Sequence, residues 1–162
     1  MEVIIVRRPE AAAPIVADAY SKLLARQGAA VLGLATGYTP LGVYKEIIRR
    51  HREEGLSFSE VTAFNLDEYV GLPKGHPELY RTFIEREFTG QVDFGPDAVN
   101  GPDGLADDLL QAGKDYDQAI RDAGGIDSQI LGIGSDGHLA FNMPGSSLVS
   151  RTRLKTLTSK TR

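Results

Sequence analysis

An aspartate and a histidine two residues apart, Asp136 and His138, stand where an apolar run ends in glycines. Ile130 to Ile133 passes into Gly134-Ser135-Asp136-Gly137-His138-Leu139-Ala140-Phe141-Asn142. A carboxylate beside an imidazole is an acid–base pair, and an unperturbed imidazole, with a pKa of ~6.5, takes up and releases protons near neutrality. A second apolar run ends at Asn65-Leu66-Asp67-Glu68. Adjacent residues of an extended chain point to opposite sides, so one of the two acids faces a shared cleft; the bland alternative is a pair of solvated loop acids. A third polar end, Thr36-Gly37-Tyr38-Thr39-Pro40, joins an apolar run to a helical pattern. Thr39 suits the N-cap and Pro40 the first helical position, while Gly37 permits a tight turn. Free N–H groups with hydroxyls beside them make a phosphate or carboxylate site, or simply an ordinary capped turn. Ligands of open α/β sheets bind beyond the carboxyl ends of the strands, so three such ends point to one common pocket.

Other candidates are weaker. Gly132-x-Gly134-x-x-Gly137 matches the dinucleotide pattern formally, but that pattern needs a helix at once and an acid about 20 residues on. Here Pro144-Gly145 interrupts, and the glycines instead suggest close approach of backbone to a small ligand. The Thr36 loop is not a Walker loop, because no Gly-Lys-Ser/Thr follows it. His51 lies in the charged run Arg49-Arg50-His51-Arg52-Glu53-Glu54 and His76 in a Gly/Pro loop; neither has a partner at close spacing. Without cysteine or His-Glu-x-x-His, no metal site is expected. Arg151, Arg153 and Lys155 alternate as on one strand face, suiting either an anion site or a solvated edge that discourages aggregation.

These ends need elements to hold them. Val3 to Val6 reads as a first strand, followed by a helix with Pro9 or Pro14 in its first turn and Ile15, Val16, Ala19 and Leu23 on one face. Ala30 to Ala35, nearly all apolar, reads as a strand buried on both faces. A helix with Leu41, Tyr44 and Ile48 in a stripe runs to Gly55, and Val61 to Leu66 is the next strand. Pro77 to Phe88 reads as helix and Gln91 to Gly104 as a connection. Leu105, Leu109, Ala112, Tyr116, Ile120 and Ala123 recur at the helical period up to Gly124-Gly125, and Ser128 to Ile133 is a strand. Alternating strands and helices imply an α/β fold: one doubly wound, mostly parallel, Rossmann-like sheet over residues 1–162, with helices on both faces. Arg151 to Leu157 alternates as a final strand would. A parallel strand needs cover on both faces, so the expectation is an incomplete layer or one that a partner completes.

Composition narrows the function classes. The chain has 162 residues, 41% hydrophobic and 25% charged, with a net charge of -4 and no cysteine. A net negative charge argues against a broad nucleic-acid or anionic-membrane surface. No apolar stretch approaches the length that spans a bilayer, and no secretory leader is visible. The absence of cysteine removes disulfides and thiolate chemistry and suits a cytoplasmic setting.

Four segments together resemble the glucosamine-6-phosphate deaminase family: Leu34 to Pro40, Phe64-Asn65-Leu66-Asp67-Glu68-Tyr69-Val70-Gly71-Leu72, Gly132 to Asn142, and Ser146 to Arg153. The related 6-phosphogluconolactonases share the Thr-Gly-x-Thr-Pro loop and an Asp-Gly-His element, but Phe-Asn-x-Asp-Glu-Tyr and Ala-Phe-Asn-x-Pro are not expected of them. The resemblance implies conversion of glucosamine 6-phosphate and water to fructose 6-phosphate and ammonia, without metal or organic cofactor. It implies that Asp67 moves a proton from C2 to C1, that His138 assists ring opening supported by Asp136, and that Thr36, Gly37, Tyr38, Thr39 and Gly137 hold substrate. Ser146, Arg153 and Lys155 match the positions of an allosteric sugar-phosphate site in regulated members. Such sites form at subunit contacts, which makes a homo-oligomer compatible with the resemblance. Two departures stand out. Met143 occupies the place of a glutamate that pairs with the imidazole in the family, which predicts slower ring opening and a shifted pH profile. Family members also continue well past the position of Arg162, which predicts weak sugar-phosphate binding by this chain alone. The alternatives are a lactonase of the same fold and a sugar-phosphate-binding module without turnover.

Overall fold

In the computed structural model, which describes residues 2–156, four short parallel strands form one sheet in the order β3-β2-β1-β4. They are β1 (Val31–Leu34), β2 (Thr62–Asn65), β3 (Val99–Asn100) and β4 (Ser128–Gln129). α1 (Ala12–Arg26) precedes β1, and α2 (Tyr38–Glu54), α3 (Tyr80–Glu87) and α4 (Leu109–Asp122) run between successive strands. β1 is buried at all four positions, as its unbroken apolar sequence requires for a strand covered on both faces. Leu32, Leu34 and Ala63 face a core built with Tyr20 of α1, Tyr44 and Ile47 of α2, and Ile84 of α3. Val31 and Phe64 face the other way, against Tyr116 of α4. The expected doubly wound α/β arrangement is therefore present, with three helices on one face and α4 on the other.

Several boundaries differ from the sequence expectation, each for a local reason. Val3 to Val6 is not a strand: it joins no ladder, and Val3 and Ile5 are exposed. The buried stripe of α1 is Ala13, Ala17, Tyr20 and Leu24, one position from the expected face; Ile15 and Ala19 are exposed. α2 begins at Tyr38, not Pro40, and its N-cap is Gly37 with φ 104° and no side-chain cap bond. That φ favours glycine. α4 begins at Leu109 rather than Leu105, because the Asp108 carboxylate accepts the N–H groups of Leu110 and Gln111, both at 3.0 Å. β3 lies inside the segment read as connection, and β4 ends at Gln129 rather than Ile133. Arg151 to Thr156 forms no strand, and Leu157 lies outside the described residues.

Two buried tyrosines settle where the central strands stop. The Tyr44 hydroxyl donates to Ala35 O at 2.7 Å and accepts from Ala35 N at 3.1 Å. The Tyr116 hydroxyl donates to Asn65 O at 2.7 Å. Each side chain supplies a partner the next ladder position would have supplied, so the chain turns away just before Thr36 and Asp67 with its backbone satisfied. Burial pushes both phenols above their ordinary range. No helix among the described residues is long and apolar enough to cross a membrane.

Candidate functional site

All four strands are parallel, so Thr36, Asp67 and the loop after β4 leave the sheet at one rim. β1 pairs with β2 on one side and β4 on the other. The chain order reverses between β1 and β4, which is where open α/β sheets form a crevice. The Thr36 loop and the 131–142 loop flank that crevice, and the Asp67 segment lies one strand further along.

Asp67 and Glu68 divide as their adjacency demands. The Glu68 carboxylate turns to the start of α3, accepting from Tyr80 N and Arg81 N at 2.9 Å each, and from Tyr69 N at 2.8 Å. It is a cap reaching across twelve residues to a helix whose adjacent residue, Leu79, provides none. Replacing Glu68 with alanine should cost about 1–2 kcal/mol of stability. A urea midpoint equal to the parent's would show that these bonds add nothing. Asp67 has no hydrogen-bond partner among the described residues; burial, and secondarily the Glu68 charge, raise its carboxyl from 3.8 to about 6.

Asp67 opens onto a cavity of about 430 Å³ whose walls include Tyr69, Gly104, Phe141, Ser146, Arg151, Arg153 and Lys155. Thr36, Gly37, Tyr38, Thr39, Asp136, Gly137 and His138 are not among its lining residues. Thr36 and, from the 131–142 loop, Phe141 are what tie those loops to it, through aromatic rings. Phe141 lies 6.0 Å from the Tyr69 ring and 5.7 Å from the Tyr80 ring, and those two rings are 4.8 Å apart. The Tyr80 hydroxyl donates to Tyr69 Oη at 3.3 Å, and the Thr36 side chain lies against it. Three strand-end loops thus meet in one aromatic cluster, which sequence reasoning missed because its members are far apart in the chain. Phe141 reaches the cluster from a tight turn in which Leu139 and Asn142 exchange backbone hydrogen bonds and Ala140 takes φ 54°.

His138 Nδ1 lies 2.6 Å from Asp136 Oδ1, and His138 N donates to the same oxygen at 3.2 Å. These bonds hold the Asp136 carboxyl below its usual range, the backbone bond contributing most. With Nδ1–H directed at the carboxylate, Nε2 is left as the nitrogen that accepts a proton. Gly134 serves this pair: a β-carbon there would overlap the His138 ring. The glycine makes room for an imidazole rather than for a ligand. In the Thr36 loop, Gly37, Tyr38 and Thr39 are exposed at the start of α2, where unpaired N–H groups and the helix dipole favour an anion.

Ser146, Arg153 and Lys155 line the same cavity as Asp67. Arg153 donates to Asn142 Oδ1 at 2.8 Å and to Ser150 Oγ at 2.6 Å, fastening their segment to the 131–142 loop. The segment is also held on α4, where Asp117 accepts from Thr152 Oγ1 at 2.7 Å and Gly113 leaves space for the Thr152 carbonyl. The cationic wall can hold an anion opposite the buried carboxyl. No group of three or more His, Cys, Asp or Glu among the described residues could hold a metal ion.

A parallel sheet wound on both faces, with an unpaired carboxyl and a carboxylate–imidazole pair at one rim, defines an α/β protein equipped for acid–base work on a small polar ligand. The chain belongs to the family of glucosamine-6-phosphate isomerases and 6-phosphogluconolactonases, whose model matches residues 8–161. It is 60% identical to a glucosamine-6-phosphate deaminase of Beutenbergia cavernae and 58% identical to one of Mycolicibacterium smegmatis, over 162 residues in both cases. All of this chain is covered and 62% of each relative, so the chain spans less than two thirds of their length. Among solved structures, a monomeric glucosamine-6-phosphate deaminase superposes with TM-score 0.96 at 40% identity, covering 99% of this chain and 67% of that one. A 6-phosphogluconolactonase from Thermotoga maritima superposes with TM-score 0.70 at 23% identity, covering 86% of this chain and 62% of that one, and shares the fold.

Proposed function

We propose that the protein acts as a glucosamine-6-phosphate deaminase, turning glucosamine 6-phosphate and water into fructose 6-phosphate and ammonia. The observation that carries the reading is Asp67: a carboxyl without a partner among the described residues, raised to about 6 by burial, lining a cavity beside a strand end. A carboxylate poised there is mostly ionised at neutrality, yet returns a proton readily. Aldose–ketose conversion asks for that: the base takes the proton from C2, the electrons pass through an enolamine, and the same proton is delivered to C1. Water then adds at C2 and the amine leaves as ammonia. Ring opening is a separate proton transfer, between the anomeric hydroxyl and the ring oxygen, and suits His138 Nε2 with Asp136 fixing the tautomer. The phosphate fits the exposed N–H groups of the Thr36–Thr39 loop, and Gly137 is a substrate-holding candidate by resemblance alone. Lactone hydrolysis needs no C2 base, so the unpaired Asp67 favours the deaminase over the hydrolytic alternative. The resemblance assigns Ser146, Arg153 and Lys155 a regulatory role, but they line the Asp67 cavity, so a sugar phosphate held by their cations would compete with substrate there.

The test is to incubate the protein with glucosamine 6-phosphate and follow ammonia and fructose 6-phosphate together. Equal amounts of both support the reading; hydrolysis of 6-phosphogluconolactone without ammonia would replace it. Met143 gives a further prediction. An anion at that position would favour the imidazolium, because a nearby opposite charge stabilises the charged form. Met143→Glu should therefore raise the pH at which ring opening loses its acid and increase turnover severalfold at pH 7 to 8. A superimposable pH–rate profile would show that a charge at position 143 does not reach the imidazole.

A further inference from the structure

Asn65, the last residue of β2, is 3% exposed, and both polar atoms of its side chain are buried without a hydrogen-bond partner among the described residues. Its carbonyl is occupied by Tyr116. Beside the amide stands Gly101, where a β-carbon would lie 3.6 Å from Asn65 Nδ2, a packing contact only. Its sheet-face neighbours Ala63 and Leu34 are apolar, so leucine would fill the place without leaving a polar group unpaired. An unsatisfied buried carboxamide in a folded protein calls for an explanation.

Two residues on is a second polar group without a partner, Asp67. The parallel ladder continues past β2 through Leu66, whose N–H donates to Leu34 O at 3.0 Å. The chain bends at Leu66, directly after β2, so only that bend separates the Asn65 carboxamide from the Asp67 carboxyl at this strand end. We propose that Asn65 is a positioning residue for Asp67, its carboxamide being the hydrogen-bond partner that the Asp67 carboxyl takes up as it gains and loses a proton. An amide serves both states: its N–H₂ donates to the carboxylate, and its carbonyl accepts from the protonated acid. The other groups facing Asp67 are Glu68 beside it, Tyr80 from α3, Tyr116 from α4, and Asp103, Arg151, Arg153 and Lys155 around the cavity. Both tyrosine hydroxyls are already engaged, with Tyr69 and with Asn65 O, and the rest are charged. The inference rests on the reading of Asp67 as the proton-transferring carboxylate.

The test compares the protein with its Asn65→Leu and Asn65→Ser variants. Asn65→Leu should melt at or above the parent temperature, since it buries hydrocarbon in place of an unpaired amide. In carbon-detected NMR its Asp67 carboxyl should titrate about half a pH unit or more above the parent midpoint, because the ionised form has lost a donor. The kcat for ammonia release should fall about tenfold or more with KM within threefold, and Asn65→Ser should recover part of both losses. An unmoved Asp67 midpoint in folded Asn65→Leu would overturn the proposal. So would melting well below the parent, which would mean the amide is satisfied by some other buried group. The titration reads Asp67 whether or not the protein turns over sugar. An inactive parent would refute the deaminase reading alone, and an unmoved midpoint this one.

Discussion

Replacing Asp67 with asparagine is expected to lower ammonia release by about 10²–10⁴-fold, the range a positioned general base contributes, while making the fold more stable at neutral pH. Both effects come from one cause. The carboxyl ionises near 3.8 in an open chain and at about 6 in the folded protein, so folding disfavours its charged form. Below pH 3.8 both states hold the proton and the group contributes nothing. As pH rises from 3.8 towards 6 the unfolded chain gives up its proton first, and stability falls. Above 6 the penalty is complete, on the order of 3 kcal/mol. Asparagine keeps the size and hydrogen-bonding capacity of the acid and never ionises. The Asp67→Asn protein should therefore melt about 6 °C or more above the parent at pH 7.5, and the gain should shrink towards zero near pH 4. Melting curves at the two pH values, with initial rates at pH 7.5, check the expectation. A variant that loses stability together with activity would show that Asp67 holds the fold rather than the chemistry.

That prediction uses a residue readable before any coordinates, and the reasons for its legibility also explain what was not. Ala30 to Ala35 was readable as a doubly covered strand because burial on both faces leaves an unbroken apolar run. The strand-end place of Asp67 and the contact between Asp136 and His138 were readable because strand-end acids and an i, i+2 pair are local patterns. β3 was not: two residues long, it exists through its pairing with Ala63 and Phe64 of β2, information that Val99 and Asn100 do not carry themselves. Val3 to Val6 is the converse, an apolar pattern that no neighbouring strand takes up. The rotation of the α1 stripe has a side-chain cause: the face is set by Tyr20, fully packed with Tyr44 and Ile47, and an aromatic with a hydroxyl weighs less in an apolar count than isoleucine. In the site, adjacency sends one of Asp67 and Glu68 to the cleft but does not say which, because the partners of Glu68 are backbone N–H groups of a helix that starts twelve residues later. The meeting of Tyr69, Tyr80 and Phe141 joins segments that only the winding of the sheet brings together.

The second large effect is expected from the smallest substitution. Gly134→Ala adds one methyl group to an exposed loop, yet its β-carbon would occupy the place of the His138 ring. The backbone there has little freedom to yield, because Gly134 N donates to His138 O and Gly137 N to Gly134 O, both at 2.9 Å. The imidazole must therefore swing out, breaking its 2.6 Å contact with Asp136 and the orientation that leaves Nε2 free. If His138 opens the sugar ring, Gly134→Ala should reduce turnover about as far as His138→Asn, by about 10²–10⁴-fold. The melting temperature should stay close to the parent's, since Asp136 and His138 are solvent-accessible and a surface pair of this kind adds little to folding. A substrate supplied in its open-chain form separates the roles. It bypasses ring opening and should recover turnover in Gly134→Ala and His138→Asn but not in Asp67→Asn. Equal recovery in all three would mean that Asp67 and His138 serve the same step, and the division of labour between the carboxyl and the imidazole would fall.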